Sequence, residues 1–134
     1  SNIIYSINTH IQIYLDKFFT ENPILIKLRT FKETKKISKP TIHLQIEYKG
    51  MSDLSIDTLS GGEKARVVLA FTLGLAEMFN VPMIMLDEST SSLDSELTGE
   101  IIENMRDCIK DKLVIIVAHQ IHTNAQFDHT ITFE

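Results

Sequence analysis

The sequence predicts an α/β domain, a parallel βαβ core with helices, preceded by one helix and an antiparallel strand pair. Three observations predict it. Apolar residues at helical spacing open the chain, a segment of period-2 alternation follows, and the second half holds two short apolar runs separated by a helical stripe. With 134 residues, 43% of them hydrophobic and 23% charged, the composition is that of an ordinary globular lobe able to bury a core.

Taking the elements in order, Ile4, Ile7, Ile11, Tyr14 and Phe18 recur at alternating spacings of three and four, the a/d seam of a heptad pattern. Two heptads suit the end of a coiled coil and an amphipathic helix packed on its own domain equally well. Asn22-Pro23 ends this helix. Ile24 to Leu28 and Ile42 to Tyr48 read as strands, the second with clean alternation that leaves His43 on the solvent face. Six of the thirteen Lys and Arg residues fall between Lys27 and Lys39 (Lys27, Arg29, Lys32, Lys35, Lys36 and Lys39), with Glu33 the only acid among them. On a chain of net charge -5 this is one basic loop, ending at Pro40. It is either a solvated hairpin tip or a contact for a phosphate backbone. The negative total argues against broad nucleic-acid binding by the whole surface.

Lys49 to Asp57 is polar around Gly50 and reads as a short connection. Val67, Phe71, Leu75 and Met78 then predict a helix from Gly62 to about Phe79, with Asn80 as its stop. Val81 to Leu86 is continuously apolar, as a parallel strand covered on both faces reads. Ser91 or Ser92 can cap the next helix, striped by Ile101, Met105 and Ile109, and Leu113 to Ala118 is a second apolar strand. Strand, helix and strand at this spacing make a βαβ unit whose ligands belong at the carboxyl ends of the strands. Asp87, Glu88 and His119 all fall there.

The single cysteine, Cys108, allows neither a disulfide nor a cysteine metal site within the chain, which favours a reduced, intracellular setting. No apolar run reaches the ~20 residues needed to cross a bilayer, and Ser1-Asn2-Ile3 lacks a basic leader. The missing methionine suggests an excised or processed segment. Ser60-Gly61-Gly62-Glu63 is an S-x-x-E capping box, with Ser60 bonding the N3 amide and Glu63 reaching back. Its two glycines also let a phosphate approach the N–H groups of a helix N-terminus. Asp87 and Glu88 close a wholly apolar strand, where charges are costly without a metal, a proton or a partner. A hard-oxygen ion such as Mg²⁺, held by Asp87 through its water shell, and a general-base role for Glu88 fit that position; helix capping is the alternative.

Leu59-Ser60-Gly61-Gly62-Glu63, Met83 to Glu88, Ser91-Ser92-Leu93-Asp94 and Ile115-Ile116-Val117-Ala118-His119 follow one another in order. Together they resemble the signature motif, Walker B motif, D-loop and switch histidine of ABC-type ATPases, from about Thr58 to the C-terminus. No Gly-x-x-x-x-Gly-Lys-Ser/Thr occurs, so the resemblance implies that the phosphate-cradling Walker A half comes from another polypeptide or from a missing N-terminal stretch. Glu63-Lys64 and the long interval from Ser60 to Asp87 resemble the structural-maintenance-of-chromosomes (SMC) proteins. Thr90 to Asp94 resembles their SbcC-type repair relatives, while Ser89 departs from the proline common in repair and transporter heads.

On that resemblance the chain is the C-terminal lobe of an SMC/SbcC-type head. Residues 1–20 are the end of a coiled coil or an amphipathic helix, 24–58 the strand pair and basic loop, and 59–134 the motif region. Ser60, Gly61, Gly62 and Glu63 would meet the γ-phosphate of ATP held by a second head, Asp94 would couple the two sites, and His119 would sense the γ-phosphate. For Asp94 the alternative is favourable charge at a helix start; for His119 it is a simple backbone bond. The resemblance implies Mg-ATP hydrolysis only when the Walker A-bearing half completes the head, with DNA and a nuclease or other accessory subunit as further partners and no membrane. The setting would be the nucleus in a eukaryote and the cytoplasm in a prokaryote. A transporter nucleotide-binding domain and a non-catalytic interaction fragment are the competing expectations.

Overall fold

The computed structural model describes residues 2–31, 41–87, 95–117 and 127–133. The chain divides into two units, Ser1–Val81 and Pro82–Glu134. In the first, helix α1 (Asn2–Phe18) precedes an antiparallel hairpin of β1 (Ile24–Phe31) and β2 (Thr41–Tyr48), a 3-10 turn at Ile56–Thr58 and helix α2 (Gly61–Met78). In the second, β3 (Met83–Asp87), α3 (Ser95–Cys108) and β4 (Leu113–Val117) form a βαβ unit. Among the described residues no helix is long and apolar enough to cross a membrane.

Helix α1 buries Ile11, Tyr14, Leu15 and Phe18, whereas Ile4 and Ile7 at its start are only half-buried. Over its last turns the apolar stripe is therefore satisfied within its own unit. Two carboxamides on the same helix serve β1. Asn8 accepts from the Leu28 N–H at 2.8 Å and donates to the Leu28 carbonyl at 3.1 Å, and Gln12 donates to the Ile24 carbonyl at 2.9 Å. They occupy the outward backbone groups of a strand edge that would otherwise stay open to a further strand. The hairpin register sets Ile24 opposite Tyr48, Ile26 opposite Ile46 and Leu28 opposite Leu44. Strand β1 runs three residues beyond the expected Leu28, because Arg29, Thr30 and Phe31 continue the ladder against His43, Ile42 and Thr41. Lys27 and Arg29 thus stand exposed on the strand and not in the loop, and His43 is exposed as expected. Lys32, Lys35, Lys36 and Lys39 lie outside the described residues.

Helices α1 and α2 cross at van der Waals distance of their backbones. A Cβ built on Gly74 would lie 3.0 Å from both Cα and N of Ile11. Glycine is what permits that approach. The face of α2 that is buried carries Val67, Leu69, Ala70, Leu73, Gly74 and Ala76. Phe71, Leu75 and Met78, which the spacing marked as the stripe, are only half-buried. Small residues, not the largest apolar ones, set the packing face because they bring the helix axes together. The crossing is bracketed by two polar ties. The Tyr14 hydroxyl donates to Glu77 at 2.7 Å, and Arg66 donates to the Phe18 carbonyl at 3.1 Å while lying 4.5 Å from the centre of the Phe19 ring. Asn80 ends α2 with a left-handed φ of 52°; its N–H donates to the Glu77 carbonyl and that of Val81 to the Ala76 carbonyl, the Schellman closure that glycine or asparagine makes easily.

In the second unit β3 and β4 pair in parallel, Met83 opposite Leu113 through Asp87 opposite Val117. Helix α3 buries Ile101, Ile102 and Met105, with Ile109 just beyond its end. Ile84 and Leu86 are buried, but Met83 is 47% and Met85 60% exposed, and their neighbours Leu113 and Val117 are 59% and 48% exposed. The expectation of a strand covered on both faces is therefore corrected: among the described residues one face of the parallel pair is packed and the other is bare. The apolar run fits two-sided burial all the same, which is how parallel sheets occur. Ser91 and Ser92, the candidate caps of the helix, lie outside the described residues.

Gly74→Val should force the two helices apart. The expected result is a loss of roughly 1–3 kcal/mol, read as a lower thermal midpoint, with helical content retained below the transition.

Candidate functional site

The start of α2 is built by the short sequence Leu59 to Glu63. Leu59 is buried and anchors the segment, while Ser60 next to it is exposed. Ser60 is extended (φ -66°, ψ 166°) and serves as N-cap: its hydroxyl accepts from the Glu63 N–H at 3.2 Å, and its own N–H donates to the Glu63 carboxylate at 2.8 Å. The capping box read from the sequence is present in full. The first N–H groups of a helix have no intrahelical partner, so those of Gly61 and Gly62, next to the Ser60 hydroxyl, face whatever binds this end. Such an end favours an anion.

Glu63 is more closely held than a capping residue needs. The Lys49 ammonium lies 3.9 Å from its second oxygen, and the Tyr48 hydroxyl is near enough to act on its titration. These donors keep the Glu63 carboxyl below its ordinary range, the Tyr48 hydroxyl contributing most and the Ser60 backbone N–H next. Burial first, and then the neighbouring Glu63 carboxylate, push the Tyr48 hydroxyl up to about 12. Tyr48 and Lys49 come from the end of β2. The two-residue loop of Lys49 (φ 51°) and Gly50 (φ 75°) is closed by reciprocal Tyr48–Met51 backbone bonds at 2.9 and 3.0 Å, the positive φ pair of a type I′ turn. Sequence reading missed both residues. Alternation places Tyr48 on the buried face, yet nothing in the spacing says that its hydroxyl comes near a residue fifteen positions on.

In the second unit Asp87 ends β3, exposed, opposite Val117 at the end of β4. It stands at the carboxyl end of a parallel pair, where ligands of such sheets bind. Among the described residues no cluster of three metal-ligating side chains forms. An exposed carboxylate there suits an ion that takes one or two carboxylates and keeps most of its waters, as Mg²⁺ does. Glu88, Asp94 and His119 lie outside the described residues.

No family model matches the chain. Over its whole length it is 40% identical to the uncharacterized protein 050L of Invertebrate iridescent virus 6, of which it spans 14%. Over 54% of its length it is 38% identical to the mitochondrial iron-sulfur clusters transporter ABCB7 of Danio rerio, of which it spans 9%. In structure it matches an SMC head bound to the C-winged helix domain of ScpA, with a TM-score of 0.71 at 17% identity over 92% of this chain and 37% of that one. It also matches an SMC ATPase from a study of ATP-driven dimerization and DNA-stimulated activation, at 0.66 and 18% over 89% of this chain and 70% of that one. The fold is thereby the one the motifs pointed to, that of the C-terminal lobe of a head domain of this kind. In particular, it is the fold of the SMC heads.

The Glu63 geometry has a pH consequence. Its carboxyl is held below the ordinary value of 4.5 when folded, so the stability it contributes is fully present above pH 4.5 and is lost as pH falls through the folded value. Denaturant titrations at descending pH should show a shallower acid-side loss for Glu63→Gln than for the unsubstituted protein; identical slopes would show that the carboxylate is not held as described.

Proposed function

We propose that the chain is the signature-bearing half of an SMC/SbcC-type ATPase head, which binds and hydrolyses Mg-ATP between two dimerised heads in DNA double-strand-break repair or chromosome maintenance. The observation that carries this reading is the helix N-terminus at Ser60–Gly62, exposed at Ser60 and Gly61, on an SMC-head fold. In it, Ser60, Gly61 and Gly62 receive the γ-phosphate of a nucleotide held by the opposite head. Asp87 holds Mg²⁺ through its water shell, Glu88 takes the proton of the attacking water, Asp94 links the two sites, and His119 reports whether the γ-phosphate is present. Phosphoryl transfer to water asks mainly for positioning and charge stabilisation. The metal supplies neutralisation of the phosphate charge when bound.

The Walker A-bearing half fits the bare face of β3 and β4, where Met83, Met85, Leu113 and Val117 need an apolar cover. Lys27 and Arg29, exposed on β1 beside the basic loop, supply positive charge for DNA. A nuclease or a winged-helix subunit of the kind bound by the SMC head is the accessory partner. The setting is intracellular, and α1 is the end of a coiled coil.

Identity with a transporter favours a second reading, a transporter nucleotide-binding domain. The antiparallel β1–β2 pair before the signature supports the SMC branch, since the strand pair fits that branch better than the helical subdomain of transporters.

Mg²⁺-dependent ATP hydrolysis by this chain, alone and mixed with the Walker A-bearing half of its parent protein, tests the enzyme directly: turnover in the mixture only is the expected result. In the completed head Glu88→Gln should keep ATP binding and abolish turnover, and Ser60→Arg should prevent ATP-driven dimerisation by light scattering. Absent turnover from associated halves would leave a non-catalytic interaction module. Neutralising Lys27, Arg29, Lys32, Lys35, Lys36 and Lys39 should weaken DNA binding and flatten its salt dependence by about 0.9 in the log-log slope for every phosphate left without its cation; an unchanged slope returns the region to a solvated surface.

A further inference from the structure

We propose that the outer edge of β2 at Ile42–Leu44 docks an extended, acidic segment of a partner protein, which adds to the hairpin as a third strand. The proposal goes beyond the ATPase reading and does not depend on it. The two edges of the hairpin are treated differently. On β1, Asn8 and Gln12 of α1 occupy outward backbone groups of Ile24, Ile26 and Leu28, so no strand can add there. On β2 only the turn end is occupied. Tyr48 and Met51 exchange backbone bonds at 2.9 and 3.0 Å, and the Leu54 N–H donates to the Ile46 carbonyl at 3.1 Å. Outward groups recur at every second residue of an antiparallel strand, so those of Leu44 and Ile42 continue the same row. Among the described residues their N–H and C=O groups meet no backbone partner. No lysine, proline or bulge guards the stretch from Thr41 to Ile46, the usual means of blunting an edge.

Such an edge specifies its occupant. Donors and acceptors alternating along an extended row are matched by another extended backbone. DNA phosphates offer acceptors only and would leave the carbonyls unmatched. The side chains beside the row set the partner's composition. On one face Ile42 and Leu44 are exposed, with Met51 exposed beyond them, and they take apolar residues. On the other face Lys27 and Arg29 are exposed and Arg29 stands opposite His43. A cavity of about 330 Å³ opens there, lined by Arg29, His43, Leu44, Gln45 and Asp53. Among the described residues no ion pair holds Lys27 or Arg29, and Asp53 is the one acid of the lining. An acidic side chain on the added strand beside His43 therefore gains their charge. A second copy of this chain could also supply a strand. It would, however, set the six Lys and Arg residues between Lys27 and Lys39 against the same six, and like charges repel. The open row is short, which suits a small, reversible contact.

The test uses the full-length protein and a capped octapeptide of alternating valine and glutamate, labelled for fluorescence anisotropy. Binding is expected with a Kd below about 1 mM. Methylating the peptide's backbone nitrogens removes its donors and should weaken binding about tenfold or more; exchanging its glutamates for lysines should do the same. Ile42→Pro removes an outward N–H that the pairing with β1 does not use, and proline is tolerated at such an edge. It should weaken the peptide about tenfold while ATP turnover stays within about twofold. Equal binding by the methylated peptide, or by Ile42→Pro, reduces the contact to surface charge and overturns the proposal, as does failure to bind at about 1 mM. A dimer in light scattering that Ile42→Pro dissolves would give the edge to a second copy and overturn it as well. Were the Ile42→Pro protein not to fold, the methylated peptide on the unsubstituted protein decides alone. Absence of ATP turnover changes none of these outcomes, so the two readings fail separately.

Discussion

The first unit hangs on the close approach of Gly74 to the backbone of Ile11, where a Cβ added to the glycine would lie 3.0 Å from Cα and N. Helices that touch through side chains can slide or tilt as rotamers change, but helices that touch through backbone have little freedom to do so. Gly74 lies thirteen residues from Gly61, about 20 Å along the axis, so a fixed crossing also aims the far end of α2. Tyr14–Glu77 on one side and Arg66–Phe18 on the other keep the helix from rotating about that contact. The aimed end is the Ser60–Gly62 segment. Ordinary packing, far from the chemistry, thus sets the direction in which the backbone donors point.

The same end carries a built-in conflict. A glutamate at the third helical position stabilises the helix through the capping box and the macrodipole, yet it places negative charge where the proposed ligand is also negative. The turn after β2 sets one cation against it, the Lys49 ammonium 3.9 Å from the carboxylate. Its geometry depends on Lys49 accepting a left-handed φ, which a lysine adopts only when the surrounding contacts require it; here the Tyr48–Met51 backbone bonds supply that requirement.

Much of this was legible in the sequence, and the reasons differ by element. The helix from Gly61 to Met78, its stop at Asn80 and the Ser60–Glu63 box were readable because capping and closure are local chemistry, decided within a few residues. The parallel pair was readable as two apolar runs flanking a helical stripe. What could not be read was set by partners distant in the chain. The buried face of α2 follows Ala70 and Gly74 because α1 is there, and the carboxamides of Asn8 and Gln12 interrupt an apolar helix because β1 offers its edge. Tyr48 comes near Glu63 only after the hairpin turn folds back. Even the extension of β1 to Phe31 comes from its pairing with β2, since Lys27 and Arg29 by composition suggested a loop.

The apolar run from Val81 to Leu86 carries the most information where sequence and structure diverge. A surface strand alternates, with polar residues outward, and β3 does not: Met83 and Met85 are as apolar as Ile84 and Leu86, yet only the latter pair is buried. Across the ladder Leu113 and Val117 repeat the pattern at both ends of β4. Sequence therefore specifies a sheet covered twice, and the described residues supply one cover. Covering the exposed part of such side chains gains about 25 cal/mol for every Å² of apolar surface removed from water, against which the loss of freedom on association is set. Asp87 stands at the end of that uncovered strand. In the proposed head, the Walker A-bearing half that covers this face would lie along the strand whose carboxyl end Asp87 occupies.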